Sequence, residues 1–158
     1  MCAGESTTLV VGDLGGEVRW YADEDLTDLI IVSNTLNTGV LTATTQYWYT
    51  VSSASCVSTA AMAEVFVNEL PTLNSVTNNT PICEHSDLEL YANVDDATNL
   101  TFNWWTNFNG FTSTIQYPVI MDATEVNDEG FYFVTVTDTL TGCTSKTYST
   151  LAVITKFP

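Results

Sequence analysis

The sequence predicts an all-β protein made of two tandem β-sandwiches. Short strand signals rich in Thr, Val, Tyr, Phe and Trp recur along the chain, and Gly, Asn, Asp and Pro turns separate them. No apolar stripe with the period of a helix is longer than two turns. The same order of cysteine, tryptophan and cysteine occurs twice, which indicates two copies of one structural unit.

Turn residues such as those of Asn109-Gly110 separate the strand signals. The predicted strands are Thr7–Val11, Glu17–Tyr21, Tyr47–Ser52, Ala63–Asn68, Asp87–Ala92, Thr101–Trp105, Gly130–Asp138 and Tyr148–Thr155. Short strands at regular spacing are typical of a sandwich or a barrel.

The internal repeat divides the chain into residues 1–69 and 70–158. The landmarks are Cys2, Trp20 and Cys56 in the first copy, and Cys83, Trp105 and Cys143 in the second. The final residues, Lys156-Phe157-Pro158, resemble Glu69-Leu70-Pro71 at the end of copy one. Before its first cysteine, copy two has a segment, Leu73–Thr77, that copy one lacks. We therefore expect a piece of a longer tandem array, in which copy one is without its first strand.

The four cysteines allow three sets of two disulfides. None lies in a CxxC pair and His85 is the only histidine, so a zinc site is not expected. The repeat selects bonds within each copy, Cys2–Cys56 and Cys83–Cys143. We therefore predict one disulfide in each sandwich and an oxidising, extracellular setting.

The chain is strongly acidic, with 19 acidic residues against 3 basic ones and a net charge of −16. Nucleic acids and anionic membranes need Lys and Arg to neutralise phosphate, so neither is expected as a partner. No apolar run approaches the roughly 20 residues of a membrane span, so membrane insertion is not expected either. The charge is divided evenly between the copies, which indicates a general surface property and not a special pocket.

Metal binding and catalysis find little support in the sequence. Asp23-Glu24-Asp25 with Asp28, and Asp95-Asp96, have oxygen ligands for calcium but not the spacing of a calcium loop. We interpret them as solvated turn carboxylates. No nucleophile elbow, phosphate-binding loop or HExxH motif occurs, and His85 lies in a predicted turn. We expect no enzyme activity, no metal and no cofactor.

The most regular stretch, "NDEGFYFVTVTD" at residues 127–138, begins with a turn and continues as an alternating strand. Asp128 and Gly130 suit a tight turn. In immunoglobulin-like sandwiches, a tyrosine at the start of the penultimate strand hydrogen-bonds to upstream backbone and forms the tyrosine corner. We predict that Asp128, Gly130 and Tyr132 form such a structural corner.

A family resemblance rests on four segments of copy two: Cys83–Leu90, Trp105–Thr114, Asn127–Val136 and Gly142–Ser145. They resemble the bacterial immunoglobulin-like (Ig-like) repeats of large secreted and cell-surface proteins of the Bacteroidetes. Copy one resembles a sister type through Val18–Tyr21 and Leu41–Tyr47. The resemblance implies two tandem Ig-like sandwiches, an extracellular or cell-surface location, and export by the type IX system.

The pair Trp104-Trp105 departs from this family, which usually has a single tryptophan there. Alternation from Phe102 places Trp104 in the core, whereas the motif register places Trp105 there. Trp104, Trp105, Phe108 and Phe111 are nevertheless the best binding candidates, because aromatic faces beside asparagine amides suit sugar rings. The alternative, purely structural interpretation is that they are core residues followed by an Asn-Gly turn.

Two weaker candidates complete the prediction. Trp48, between Tyr47 and Tyr49, is a lesser aromatic site. Asp138-Thr139-Leu140 resembles the Asp-Thr-aliphatic acceptor of Bacteroidetes O-glycosylation, which makes Thr139 a hypothetical modification site.

The leading functional interpretation is a non-catalytic stalk or spacer in a large cell-surface or secreted adhesin. Its partners would be the neighbouring Ig-like repeats of the same chain. The alternatives are an adhesion module that binds glycans or surface proteins, and an accessory domain of an exported enzyme.

Overall fold

The computed structural model describes residues 1–12 and 15–156. The chain divides into two compact units, unit 1 (Met1–Glu69) and unit 2 (Leu70–Pro158). Phe157 and Pro158, which resemble Leu70-Pro71 in sequence, lie outside the described residues.

The fold is all-β, as predicted. Unit 1 contains β1 (Glu5–Val10), β2 (Glu17–Tyr21), β3 (Leu29–Val32), β4 (Thr35–Leu41), β5 (Thr45–Ser53), β6 (Cys56–Val57) and β7 (Ala61–Val65). Unit 2 contains β8 (Ser75–Asn78), β9 (Ile82–Cys83), β10 (Ser86–Asn93), β11 (Leu100–Thr106), β12 (Thr112–Ser113), β13 (Val119–Ala123), the short helix α1 (Glu125–Asp128), β14 (Gly130–Asp138), β15 (Tyr148–Ala152) and β16 (Ile154–Thr155).

Unit 1 is a β-sandwich of a two-stranded and a five-stranded sheet. The first sheet pairs β1 with β4, and the second has β5 between β2 and β7, with β3 outside β2 and β6 beside the end of β5. Leu36 and Leu41 of β4 are buried in one cluster with Val18 and Trp20 of β2. Because side chains from both sheets share that cluster, the sheets pack face to face.

Unit 2 has the same plan with more strands. One sheet has the order β13-β10-β8, the other has β12-β11-β14-β15, and β9 pairs with β16 in parallel. Every second residue of β10 is buried from Leu88 to Ala92, and so is every second residue of β14 from Tyr132 to Val136. These side chains meet in one core cluster, as the period of two in a strand requires. The added strand β8 corresponds to the segment that the sequence showed only in copy two.

The chain runs through unit 2 from one end of the sandwich to the other. It enters where Ser75 pairs with Asn93, and the loop after Asn93 leads to Leu100, which pairs with Asp138. We call this the upstream end. The chain leaves at the downstream end, where β15 pairs with the first residues of β14 and β16 pairs with β9. The nine residues of β14 join the two ends and span about 27 Å.

The predicted disulfides, Cys2–Cys56 and Cys83–Cys143, do not form. Cys56 and Cys83 are free and exposed, whereas Cys2 and Cys143 are disulfide-bonded. The prediction of one disulfide within each sandwich is therefore wrong, although the sandwiches themselves are confirmed.

The positions of the cysteines in unit 1 explain the error. Cys2 forms a β-bridge with Asn68 through the backbone. This pair lies beyond the end of β5 at which Thr45 pairs with Val65. Cys56 pairs with Ser53 at the opposite end of β5. This strand has nine residues and spans about 27 Å, whereas a disulfide needs Cα atoms within about 7 Å.

Unit 2 repeats this arrangement. Cys83 pairs with Thr155 at the downstream end, and Cys143 accepts a hydrogen bond from the Asp138 amide, 2.9 Å long, at the upstream end. The repeat thus places the two cysteines of each copy at opposite ends of a sandwich, too far apart to bond to each other.

Candidate functional site

The structure does not bring the four predicted aromatic residues of unit 2 together. Trp104 is wholly buried in the core. Phe108 and Phe111 each make a T-shaped contact with the Tyr132 ring, at centroid distances of 5.8 and 5.5 Å. Trp105 lies on the outer face of the sheet, away from them.

Strand alternation decides between the two tryptophans. Phe102 and Trp104 are buried, and Asn103 is exposed between them. The tryptophan that corresponds to the buried Trp20 of unit 1 is therefore Trp104 and not Trp105. Motif register alone pointed to the wrong residue, because it counts residues and ignores the face on which each lies.

Trp105 belongs instead to a row of three aromatic rings, which we call the aromatic ladder: Trp105, Phe133 and Phe131. The Trp105 and Phe133 rings stack at 5.7 Å with an interplanar angle of 23°, and Phe133 and Phe131 stack at 6.3 Å and 26°. Trp105 is directly opposite Phe133 in the β11–β14 pair. Phe131 is 52% exposed, and Trp105 and Phe133 are half-buried, so part of the ladder is open to solvent.

The residues around the ladder are neutral. The outward positions of β11, β14 and β15 are Thr101, Asn103, Trp105, Phe131, Phe133, Thr135, Thr137, Ser149 and Leu151. Not one of these side chains is ionisable, although unit 2 holds ten acidic and two basic residues. The face therefore offers apolar rings beside hydroxyl and amide groups, a combination that suits an uncharged ligand with many hydroxyls.

The sequence contained a signal for this face that the prediction missed. Phe131 and Phe133 alternate with the buried Tyr132 and Val134, so both were assignable to an outer face. Placing Trp105 beside them required the register between β11 and β14, which only the structure supplies.

The corner residues form a hydrogen-bonded turn. Tyr132 donates from its hydroxyl to the Asp128 carbonyl oxygen at 2.9 Å, and the Asp128 carboxylate accepts from the Thr124 amide at 2.9 Å. Burial is the main cause that raises the pKa of Tyr132, and the nearby Asp128 charge raises it further. The hydroxyl therefore stays protonated at neutral pH and serves as a donor, which is a structural role.

Gly130 is required at the start of β14 for a steric reason. Its φ is +145°, and a Cβ at this position would lie 2.6 Å from a ring carbon of Phe108. A side chain would therefore meet both a disfavoured backbone conformation and a close contact.

The acidic segments stabilise their own turns. Asp23 accepts hydrogen bonds from the Thr27 hydroxyl at 2.6 Å and the Asp28 amide at 2.8 Å, and these two contacts lower the pKa of Asp23. Asp96 accepts from the Thr98 amide at 2.8 Å. Within residues 1–12 and 15–156, no three His, Cys, Asp or Glu side chains gather into a metal-binding group.

The remaining predicted residues lie apart from the ladder. His85 contacts Asp122 at 2.8 Å in an exposed pair, and the described residues form no pocket beside it. Trp48 is half-buried and pairs across the sheet with Tyr21 and Met62. Thr139 is exposed, and its hydroxyl donates to the Asn99 carbonyl oxygen at 3.0 Å. Its modification stays a prediction.

Two β-sandwiches, one of them with a tyrosine at its corner, define this chain as a pair of Ig-like domains. Residues 1–68 match the model of a family described as "Ig-like domain CHU_C associated". Unit 1 is therefore similar to a known family of Ig-like domains, in agreement with the Ig-like resemblance found in the sequence. No curated protein sequence matches the chain.

Several solved multidomain structures are similar to the chain. Three N-terminal domains of the Highly Immunogenic Outer Capsid protein of bacteriophage RB49 match 98% of it, with 22% identity and a TM-score of 0.44. The I-band fragment I67-I69 of titin matches 98% with 14% identity and a TM-score of 0.46. Extracellular domains 3–5 of Drosophila OTK match 97% with 17% identity and a TM-score of 0.47. The chain spans 55%, 62% and 57% of these three structures.

Among the described residues, no helix has the length and apolar character needed to cross a membrane.

Proposed function

We propose that the chain is a non-catalytic segment of Ig-like repeats that serves as a stalk or spacer in a large secreted or cell-surface adhesin. Its partners are neighbouring Ig-like repeats of the same protein, and export by the type IX system would place it outside a cell of the Bacteroidetes. The match of residues 1–68 to a family of Ig-like domains supports this proposal.

The observation that carries the proposal is the course of the chain through unit 2. The chain enters at the upstream end and leaves at the downstream end, about 27 Å away along β14. A repeat with its two connections at opposite ends adds its own length to an array. The acidic surface, with a net charge of −16 over the two units, discourages association between neighbouring molecules.

Small-angle X-ray scattering tests the spacer directly. We expect a chain extended by a second copy of residues 72–158 after Pro158 to have a maximum dimension larger by at least about 27 Å. The matched control is the same extended chain with every cysteine replaced by serine, which should gain similar length. An unchanged maximum dimension would mean that the added unit folds back, and the spacer proposal would then fail.

The aromatic ladder favours a second candidate function, an adhesion module that binds a neutral glycan. Three stacked rings on an exposed sheet face give a sugar chain successive apolar surfaces. The adjacent Thr, Ser and Asn side chains give its hydroxyls hydrogen-bond partners.

Binding to an array of neutral glycans checks this second function. If the wild-type chain binds, Trp105→Ala or Phe133→Ala should weaken the affinity by at least about tenfold, because an aromatic anchor contributes about 1.4 kcal/mol or more. Phe66→Ala removes a ring of unit 1 that is 67% exposed and should leave binding unchanged. Absence of wild-type binding would leave the spacer as the function of both units.

A further inference from the structure

The four cysteines occupy two equivalent positions in the repeat. Cys2 and Cys83 are the downstream cysteines, since each lies where the chain leaves its unit, beside Asn68 and Thr155. Cys56 and Cys143 are the upstream cysteines, since each follows the strand that ends at the far end of its sandwich.

At each of the two positions, one copy has a disulfide-bonded cysteine and the other copy has a free one. Cys2 and Cys143 are disulfide-bonded, and Cys143 is wholly buried. Cys83 and Cys56, their equivalents in the other copy, are free and exposed. Both positions of the repeat are therefore disulfide-forming positions, and the two cysteines of one copy cannot bond to each other, because the two ends of a sandwich are about 27 Å apart.

We propose that Cys56 and Cys83 are the sites at which other Ig-like repeats of this kind become disulfide-linked to the segment. Cys83 bonds to the upstream cysteine of a repeat that follows it, and Cys56 bonds to the downstream cysteine of a repeat that precedes it. The partner is a repeat with this same pair of cysteines, and the bonds cross repeat boundaries.

The course of the chain determines which cysteines meet. In unit 2 the chain enters at the upstream end and leaves at the downstream end, so in the proposed array a short connection would bring the downstream end of one such repeat close to the upstream end of the next. That proximity gives the two thiols a high effective concentration. A bond between two downstream cysteines would instead require one of the two repeats to point in the opposite direction.

The bond forms by thiol–disulfide exchange, and a disulfide oxidant accepts the two electrons that the thiols lose. One thiolate attacks the oxidant to give a mixed disulfide, and the second thiolate displaces the leaving thiol. With oxidised glutathione, the two cysteines lose two protons and two electrons, and two molecules of reduced glutathione are released.

This inference rests on the tandem spacer proposed above and adds to it covalent links that restrict hinging at repeat boundaries. The two proposals fail separately. The serine-substituted extended chain reports length without any disulfide, whereas the experiment below reports the link itself.

The test uses the chain extended by a second copy of residues 72–158, which is ligated on in isotopically labelled form so that its peptides differ in mass from the original ones. This chain is oxidised with glutathione, alkylated without denaturation and mapped by mass spectrometry. In the original chain, Cys83 should be alkylated. In the extended chain, Cys83 should be protected and its peptide joined to that of the appended Cys143 equivalent. Cys56 and the appended Cys83 equivalent should remain the alkylated thiols.

The control carries Cys143→Ser in the appended copy only, and Cys83 should then be alkylated again. Alkylation of Cys83 in the extended chain to the extent seen in the original chain would overturn the proposal. If the extended chain did not fold, an oxidised mixture of the Cys56→Ser and Cys83→Ser chains would decide instead. Mixed Cys83–Cys56 dimers should outnumber the two like pairs together, and random pairing would contradict the proposal.

Discussion

Replacing Trp104 with alanine is expected to lower the free energy of unfolding of unit 2 by about 3–5 kcal/mol. The side chain is wholly buried, in a cluster with Leu88 and Leu90 of the facing sheet and Tyr132 of its own. Removing it leaves a cavity that neighbours from two sheets cannot fill. A loss of this size is a large share of the stability of a small domain.

The matched control is the same substitution at the next residue. Trp105→Ala removes the stacking contact with Phe133 and should cost no more than about 1.5 kcal/mol. Hydrogen exchange resolved by peptide measures both, because a chain of two units need not unfold in a single transition. Exchange should quicken in β11 and β14 and stay unchanged in β2 and β5 of unit 1. Equal effects of the two substitutions would show that the alternation of β11 is wrong.

Gly130→Ala is expected to destabilise unit 2 by about 2 kcal/mol. The substitution places a methyl group in a positive-φ conformation, which costs about 1 kcal/mol or more, and forces the Phe108 ring away. Phe108 makes a T-shaped contact with Tyr132 at 5.8 Å, so its displacement also removes an aromatic contact. The corner at the start of β14 would be the first part of the unit to loosen.

Gly142→Ala separates backbone strain from the contact with Phe108. Gly142 has a φ of +74°, and a Cβ there would meet no atom within 4 Å. This variant should lose only the strain energy, about 1 kcal/mol. Urea denaturation of both variants measures the difference. Equal losses would mean that the Phe108 ring moves aside without cost.

The sequence predicted best the strands in which buried and outward-facing residues alternate regularly, and it missed β4 and β13, in which the buried residues do not alternate. β2 and β14 have the predicted bounds, because their buried residues alternate with outward-facing ones. β3 was not predicted, because Leu29–Val32 is exposed throughout and shows no alternation. The two-residue strands β6, β9 and β12 are too short for any periodicity and depend on partners distant in sequence.

The errors at the candidate site have one physical source. Spacing along the chain shows that two cysteines recur, but not that a strand of nine residues holds them apart. Likewise, the sequence groups Trp104 with Trp105, whereas the strand turns them to opposite faces. Fold class and the corner turn depend on local patterns and were predictable. The aromatic ladder and the disulfides depend on pairing register and chain direction and were not.

Alkylation of the native, unreduced chain, followed by peptide mass spectrometry, tests most directly whether each sandwich holds its cysteines at opposite ends. Labels should appear on Cys56 and Cys83 and be absent from Cys2 and Cys143. The contradicting result is a chain without labels in which the Cys2 peptide is linked to Cys56 and the Cys83 peptide to Cys143. Such bonds would require the two ends of each sandwich to meet.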